Sequence, residues 1–203
     1  MTMNKKIILT LVTLALAGAT RTFAAGTVVV ESRTADGSVN SNAWAEVSGT
    51  WGKSKNKTKV DDATVFETKL VSICATNVPA PAFKVSPQGL ESGKSYKVDV
   101  TFGTSKGNHA AADLVVAVTA TGVSAGTIPE TTPAFQESNA NTWTTLGTIT
   151  PGIDHPTLTF TYKSGTLSPA SRWYADTIRF TPEGAAETPA KETPAKKPKK
   201  SAE

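Results

Sequence analysis

The chain has almost none of the residues from which small metal or redox centres are built: one cysteine and two histidines in 203 residues. A lone cysteine excludes an intramolecular disulfide and any multi-cysteine metal site. His109 and His155 belong to no H-E-x-x-H or similar spacing, and no G-x-S-x-G nucleophile elbow is present. Helix-forming runs are missing beyond the first twenty residues, which disfavours a helical bundle, a coiled coil and a polytopic membrane protein. What is present is threonine, valine, 15 glycines and 12 prolines, on a chain long enough to fold around a core without cross-links.

The charge balance misleads at first. There are 21 Lys and Arg against 17 Asp and Glu, a formal net charge of +4, and the pI is near 9.1. Such a surplus invites a nucleic-acid or acidic-surface partner. Yet Lys5, Lys6 and Arg21 all lie within residues 1–24, and residues 183–203 hold five lysines and four glutamates. Residues 25–182 are left with 13 cations and 13 anions, so no nucleic-acid partner is expected.

The two ends read as non-domain segments. Lys5 and Lys6 precede a short apolar run over residues 7–19, and Thr22-Phe23-Ala24 places small side chains where a signal peptidase reads them. Residues 1–24 are therefore expected to be a signal peptide of bacterial type, cleaved after Ala24. The apolar run is too short to cross a bilayer. No cysteine follows it to take a lipid, so the mature chain is expected to be secreted, extracellular or periplasmic, with no membrane span. Residues 183–203 contain ETPAK twice and then Lys196, Lys197, Lys199 and Lys200. With nothing apolar larger than alanine, this Pro/Lys/Glu-rich tail is expected to be disordered. It serves either as a solubilising end or as a contact with anionic envelope polymer.

Between residues 26 and 182 the hydrophobic period is two. Tyr96, Val98, Val100 and Phe102 alternate with polar residues, as do Leu158, Phe160 and Tyr162; Tyr174, Ile178 and Phe180 share one parity. Further strands are predicted at 27–31, 43–47, 65–71, 82–85, 114–121 and 142–149. Turn residues separate them, among them Asp36-Gly37, Ser92-Gly93, Lys106-Gly107-Asn108 and Pro151-Gly152. Short one-sided strands with no helix between them predict an all-β fold, an antiparallel β-sandwich of jelly-roll type. A parallel α/β sheet would need strands apolar on both faces.

Four segments in order carry a resemblance: Val47-Ser48-Gly49-Thr50-Trp51, then 89–98 (GLESGKSYKV), then Trp143-Thr144-Thr145-Leu146-Gly147, then Tyr174-Ala175-Asp176-Thr177-Ile178-Arg179-Phe180. The series resembles the golvesin C-terminal and xanthan lyase carbohydrate-binding-like domain family, secreted β-sandwich modules attached to varied bacterial enzymes. The resemblance covers most of residues 26–182. It implies association with carbohydrate and transfers no binding residue. At residues 53–58 (KSKNKT) the chain departs from the aromatic, Gly-rich loop of that family.

Aromatic rings stack on sugar faces, so surface tryptophans are the first candidates for a glycan site. Parity places Trp44 with Glu46 and Ser48, opposite Ala45 and Val47, and Trp173 with Thr177 and Arg179, opposite Tyr174 and Ile178. Both are expected on the wet face, unless a loop covers them or a bulge flips the parity. Trp51 precedes a basic loop carrying Lys53, Lys55, Lys57 and Lys59, which suits an acidic sugar or is simply a solvated charge run. Trp143 reads as core or sandwich-edge packing. Cys74 in its apolar stretch reads as a packing residue, and Asp61-Asp62 as a polar loop. Asp176 reads as a structural, hydrogen-bonded carboxylate. No calcium motif is present, and the Asn56-Lys57-Thr58 sequon means little in a bacterial host. The expectation is a non-catalytic module, without cofactor or metal, that associates with extracellular or cell-envelope polysaccharide through Trp44, Trp51 or Trp173. The alternative is an extracellular structural or adhesive matrix protein that engages other proteins.

Overall fold

The computed structural model describes residues 26–33, 38–57, 69–73, 80–104, 109–130 and 134–184, and the side chains of 53–57 and 69–73 are left aside. The expected signal peptide, Asp36-Gly37, Asp61-Asp62, Cys74, Lys106-Gly107-Asn108 and nearly all of the tail lie outside the described residues.

The chain forms β1 (Val28–Glu31), β2 (Trp44–Ser48), β3 (Trp51–Lys57), β4 (Lys69–Ile73), β5 (Ala82–Val85), β6 (Tyr96–Thr101) and β7 (His109–Ala110). It continues with β8 (Val115–Thr121), β9 (Val123–Ala125), β10 (Thr144–Pro151), β11 (Thr157–Ser164), β12 (Ser171–Ala175) and β13 (Thr177–Pro182). A single 3-10 turn, Glu137–Asn139, interrupts them among the described residues. The strands assemble as β1-β13-β6-β10-β9, β2-β5-β11-β8 and β3-β4-β12-β7. Every pairing is antiparallel except the two-residue contact of β12 with β7. Successive strands repeatedly pass from one sheet to another, as they do in a jelly roll. The fold is the antiparallel β-sandwich that the two-residue period predicts.

The inner faces are the apolar parity sets. Tyr96, Val98 and Val100 of β6 with Ile178 and Phe180 of β13 lie on one side of the core. Phe83 and Val85 of β5 with Leu158 and Phe160 of β11 lie on the other. Phe83 is fully buried and is the hub of the aromatic packing. Trp44 stacks on it at 4.3 Å between centroids, Phe160 at 4.7 Å, and Trp51 and Trp173 each meet it at 5.4 Å. Large ring area makes this cluster a dominant source of burial free energy, at roughly 25 cal/mol per Å² removed from water.

The third sheet continues the other two. β3 follows β2 across Gly49, whose φ of 82° is left-handed and whose position leaves no room for a Cβ, since one would sit 2.8 Å from Pro81 Cβ. β12 precedes β13 across Asp176, and residues 174–180, expected as one strand, are two strands in different sheets. Asp176 is 2% exposed and accepts hydrogen bonds from the Ser32 hydroxyl at 3.0 Å and, through its carbonyl, from the Ser32 amide at 2.8 Å. It is the structural carboxylate the sequence predicts, and it holds β1 against the β12–β13 corner.

One loop expectation is overturned. Trp51–Lys57 is strand β3, paired with β4 through Trp51↔Ile73 and Lys53↔Val71. Lysines at 53, 55 and 57 have the period of a strand, and lysine along an edge strand discourages pairing with other chains.

Candidate functional site

The three tryptophans named as glycan candidates, two of them expected on a wet face, are in the core. Trp44 is 2% exposed, Trp51 9% and Trp173 0%, so in this conformation none offers a ring face to a sugar. The reasons differ. β2 is placed by β5, with Trp44 opposite the fully buried Val85, and residues directly opposite across two strands share a face. With Trp44 inside, alternation puts Val47 outside at 53% exposure, and the register then shifts between Glu46 and Ser48. Glu46, on the nominally inner parity, escapes at the edge to Arg33, 3.4 Å away. In β12 both parities are buried: Trp173 packs on Trp51 and Phe135 while Tyr174 stacks towards Phe102. Alternation identifies a wet face only where a strand has one. Trp51 turns its indole N–H to the Ser48 and Ala82 carbonyls, at 3.0 and 3.3 Å.

Trp143 is the tryptophan that reaches solvent, half-buried just before β10. Counting by twos from the buried Ile149 puts it inside. The ladder of β10 on β6 slips between Thr145 and Gly147, however, so Thr145 faces Asp99 and Gly147 faces Val98. Leu146 drops inward at 4% exposure, and residues before the bulge take the opposite face from the one counted. Gly147 is required because a Cβ there would run into the Thr127 carbonyl.

Around Trp143 the outer face of the five-stranded sheet carries a connected polar array. Its first row is Thr145 (β10), Asp99 (β6) and Arg179 (β13), each paired with the next, and its second is Thr148, Lys97 and Thr181. Asp99, 1% exposed, is held by three donors. The Thr145 hydroxyl gives a hydrogen bond of 2.7 Å to Oδ1, and Arg179 gives two to Oδ2, from Nε at 3.2 Å and Nη2 at 2.9 Å. Lys97 Nζ stands 3.9 Å from the same oxygen. The Arg179 guanidinium lies over the Trp143 ring, 4.1 Å from its centroid, a cation–π contact that fixes both planes. With both oxygens of Asp99 engaged, the array is arranged to present an aromatic ring, two cations and threonine hydroxyls rather than a free carboxylate.

The remaining polar candidates stand apart. His109 is exposed, with Nδ1 3.9 Å from Glu137, and His155 is exposed in the turn after β10. Among the described residues no group of three or more His, Cys, Asp or Glu could hold a metal ion, and no helix is long and apolar enough to cross a membrane.

No protein-family model and no curated protein matches the chain. Among solved structures the chain is similar to a xanthan lyase of Paenibacillus, with a TM-score of 0.52 and 18% sequence identity over 77% of this chain. The match spans 13% of the lyase's length. At that identity the likeness is one of fold, and it agrees with the xanthan-lyase side of the resemblance carried by the four sequence segments.

Proposed function

We propose that the chain is a secreted, non-catalytic polysaccharide-binding module, akin to the golvesin and xanthan lyase carbohydrate-binding-like domains. It works through the outer face of the β1-β13-β6-β10-β9 sheet. One observation carries this reading: three of the four tryptophans are core, and the fourth stands at a polar sheet face, braced by an arginine that is itself anchored on a buried carboxylate. A sugar ring would lie against the exposed part of the Trp143 indole, and its hydroxyls would meet Thr145, Thr148, Lys97 and Arg179. A braced ring loses little entropy on binding, which favours an extended polymer that meets one rigid face. The fold likeness to part of a protein named for its action on xanthan supports a polysaccharide context.

The test is affinity electrophoresis of the secreted chain through gels containing neutral or acidic polysaccharides, with tryptophan fluorescence as a second readout. At least one glycan should retard the chain and shift the emission, and Trp143→Ala should abolish both while leaving the melting temperature near wild type. Equal retardation of wild type and Trp143→Ala would remove this face from consideration.

A further inference from the structure

Sheet edges are where β-proteins pair with other chains, and the described edges of this one are protected with a single exception. β7 and β9 are two and three residues long. β1 has four residues. β2 is broken by its bulge at Val47 and carries Glu46. β3 bears lysines at alternate positions. From Val116 to Thr121 β8 has none of these devices, and the irregularity of its ladder at Val115 comes from an extra residue on β11. The strand is seven residues long, reads VVAVTAT, pairs among the described strands with β11 alone and stands last in its sheet. No residue from Leu114 to Pro129 is charged. Thr119, Ala120 and Thr121 are exposed, and no described residue hydrogen-bonds through its backbone to the far side of β8.

We infer that β8 is a homotypic pairing edge, at which two copies of this chain join β8 to β8, antiparallel, into one continuous eight-stranded sheet. An antiparallel pair of identical strands is isologous, so one edge serves both partners and the assembly closes at two. Backbone N–H and C=O groups supply the attraction, as in other strand additions. The absence of charge matters because a charged edge paired with itself brings like charges opposite one another. The outer face beside the junction is Ala117, Thr119 and Thr121, backed by Thr161, Thr159 and Thr157 of β11, side chains small enough for two copies to abut. A two-fold axis normal to this sheet leaves both five-stranded sheets on the same side. If the polysaccharide reading also holds, the two Trp143 faces point the same way and bind one polymer together, but the pairing itself does not depend on that reading.

The test is light scattering of the mature chain across a hundredfold range of concentration. Wild type should pass from the mass of one chain to that of two. Ala117→Lys/Thr119→Lys should weaken the dimer about tenfold or more, and mixing it with Ala117→Glu/Thr119→Glu should restore a heterodimer. On unaltered protein, hydrogen exchange of the 115–121 amides should slow as concentration rises. A single-chain mass at every concentration, a dimer indifferent to the lysines, or β8 amides whose exchange ignores concentration would each overturn the inference.

Discussion

The guanidinium of Arg179 lies 4.1 Å from the centroid of the Trp143 ring while two of its nitrogens bond Asp99, so one arginine joins a half-buried indole to a buried carboxylate. Removing it strips Asp99 of its main counter-charge. Arg179→Ala should therefore lower unfolding free energy by about 3–5 kcal/mol, the range for breaking a buried ion pair from one side. Arg179→Lys keeps the charge but loses the planar fork and the stack, so it should fall between the two. Urea midpoints measure both, and a wild-type midpoint for Arg179→Ala would show that the contact contributes nothing.

Phe83 is the ring that Trp44, Trp51, Phe160 and Trp173 all touch. Phe83→Ala opens a cavity at this junction and should be destabilising by about 3–5 kcal/mol. Phe83→Leu should be destabilising by less. Thermal or denaturant unfolding followed by near-ultraviolet circular dichroism reports the loss, since the rings that surround Phe83 give that signal.

Buried indoles of similar exposure should respond differently to Phe. Trp51 donates to two carbonyls, whereas the Nε1 groups of Trp44 and Trp173 are buried without a hydrogen-bond partner among the described residues. Trp51→Phe removes made bonds, and Trp173→Phe removes a donor that had none. The first should be more destabilising by about 1 kcal/mol, the net worth of such a bond. A reversed order in matched urea titrations would contradict these placements.

Asp113 fastens the segment before β8 to the one after β11. Its carboxylate accepts hydrogen bonds from the Thr166 amide and hydroxyl, both at 2.9 Å, and these hold its pKa below the ordinary aspartate value. A folded-state pKa below the unfolded one means that this clip stabilises above the unfolded pKa. That stabilisation disappears as pH falls through the folded value. Carboxyl-carbon NMR should find the Asp113 midpoint low, and Thr166→Val should raise it part of the way. A midpoint unmoved by Thr166→Val would deny the hydroxyl bond.

Much of the sandwich was legible because each strand with one wet face writes its burial as alternation. β5 matches its predicted bounds, and β6, β8 and β10 match within one or two residues. β3 was missed because its lysines outweighed their own period. The candidate site was less legible. Trp143 reads as core or sandwich-edge packing, whereas one extra residue at Leu146-Gly147 inverts every parity counted across it; Gly147 within the strand is the one local hint of that bulge. Arg179 and Asp99 are eighty residues apart, and their proximity exists only in the sheet.

By itself the sequence determined an all-β chain of short antiparallel strands with a charge-balanced body. Both follow from local quantities: the two-residue period, the turn glycines and the positions of the charges. Tertiary structure decided which side of each strand is inside. It buried Trp44, Trp51 and Trp173 around Phe83 and left Trp143 at the surface with Arg179. Facing is settled by what lies opposite and beyond a strand, through bulges, edges and two-sided packing, and those partners come from distant parts of the chain.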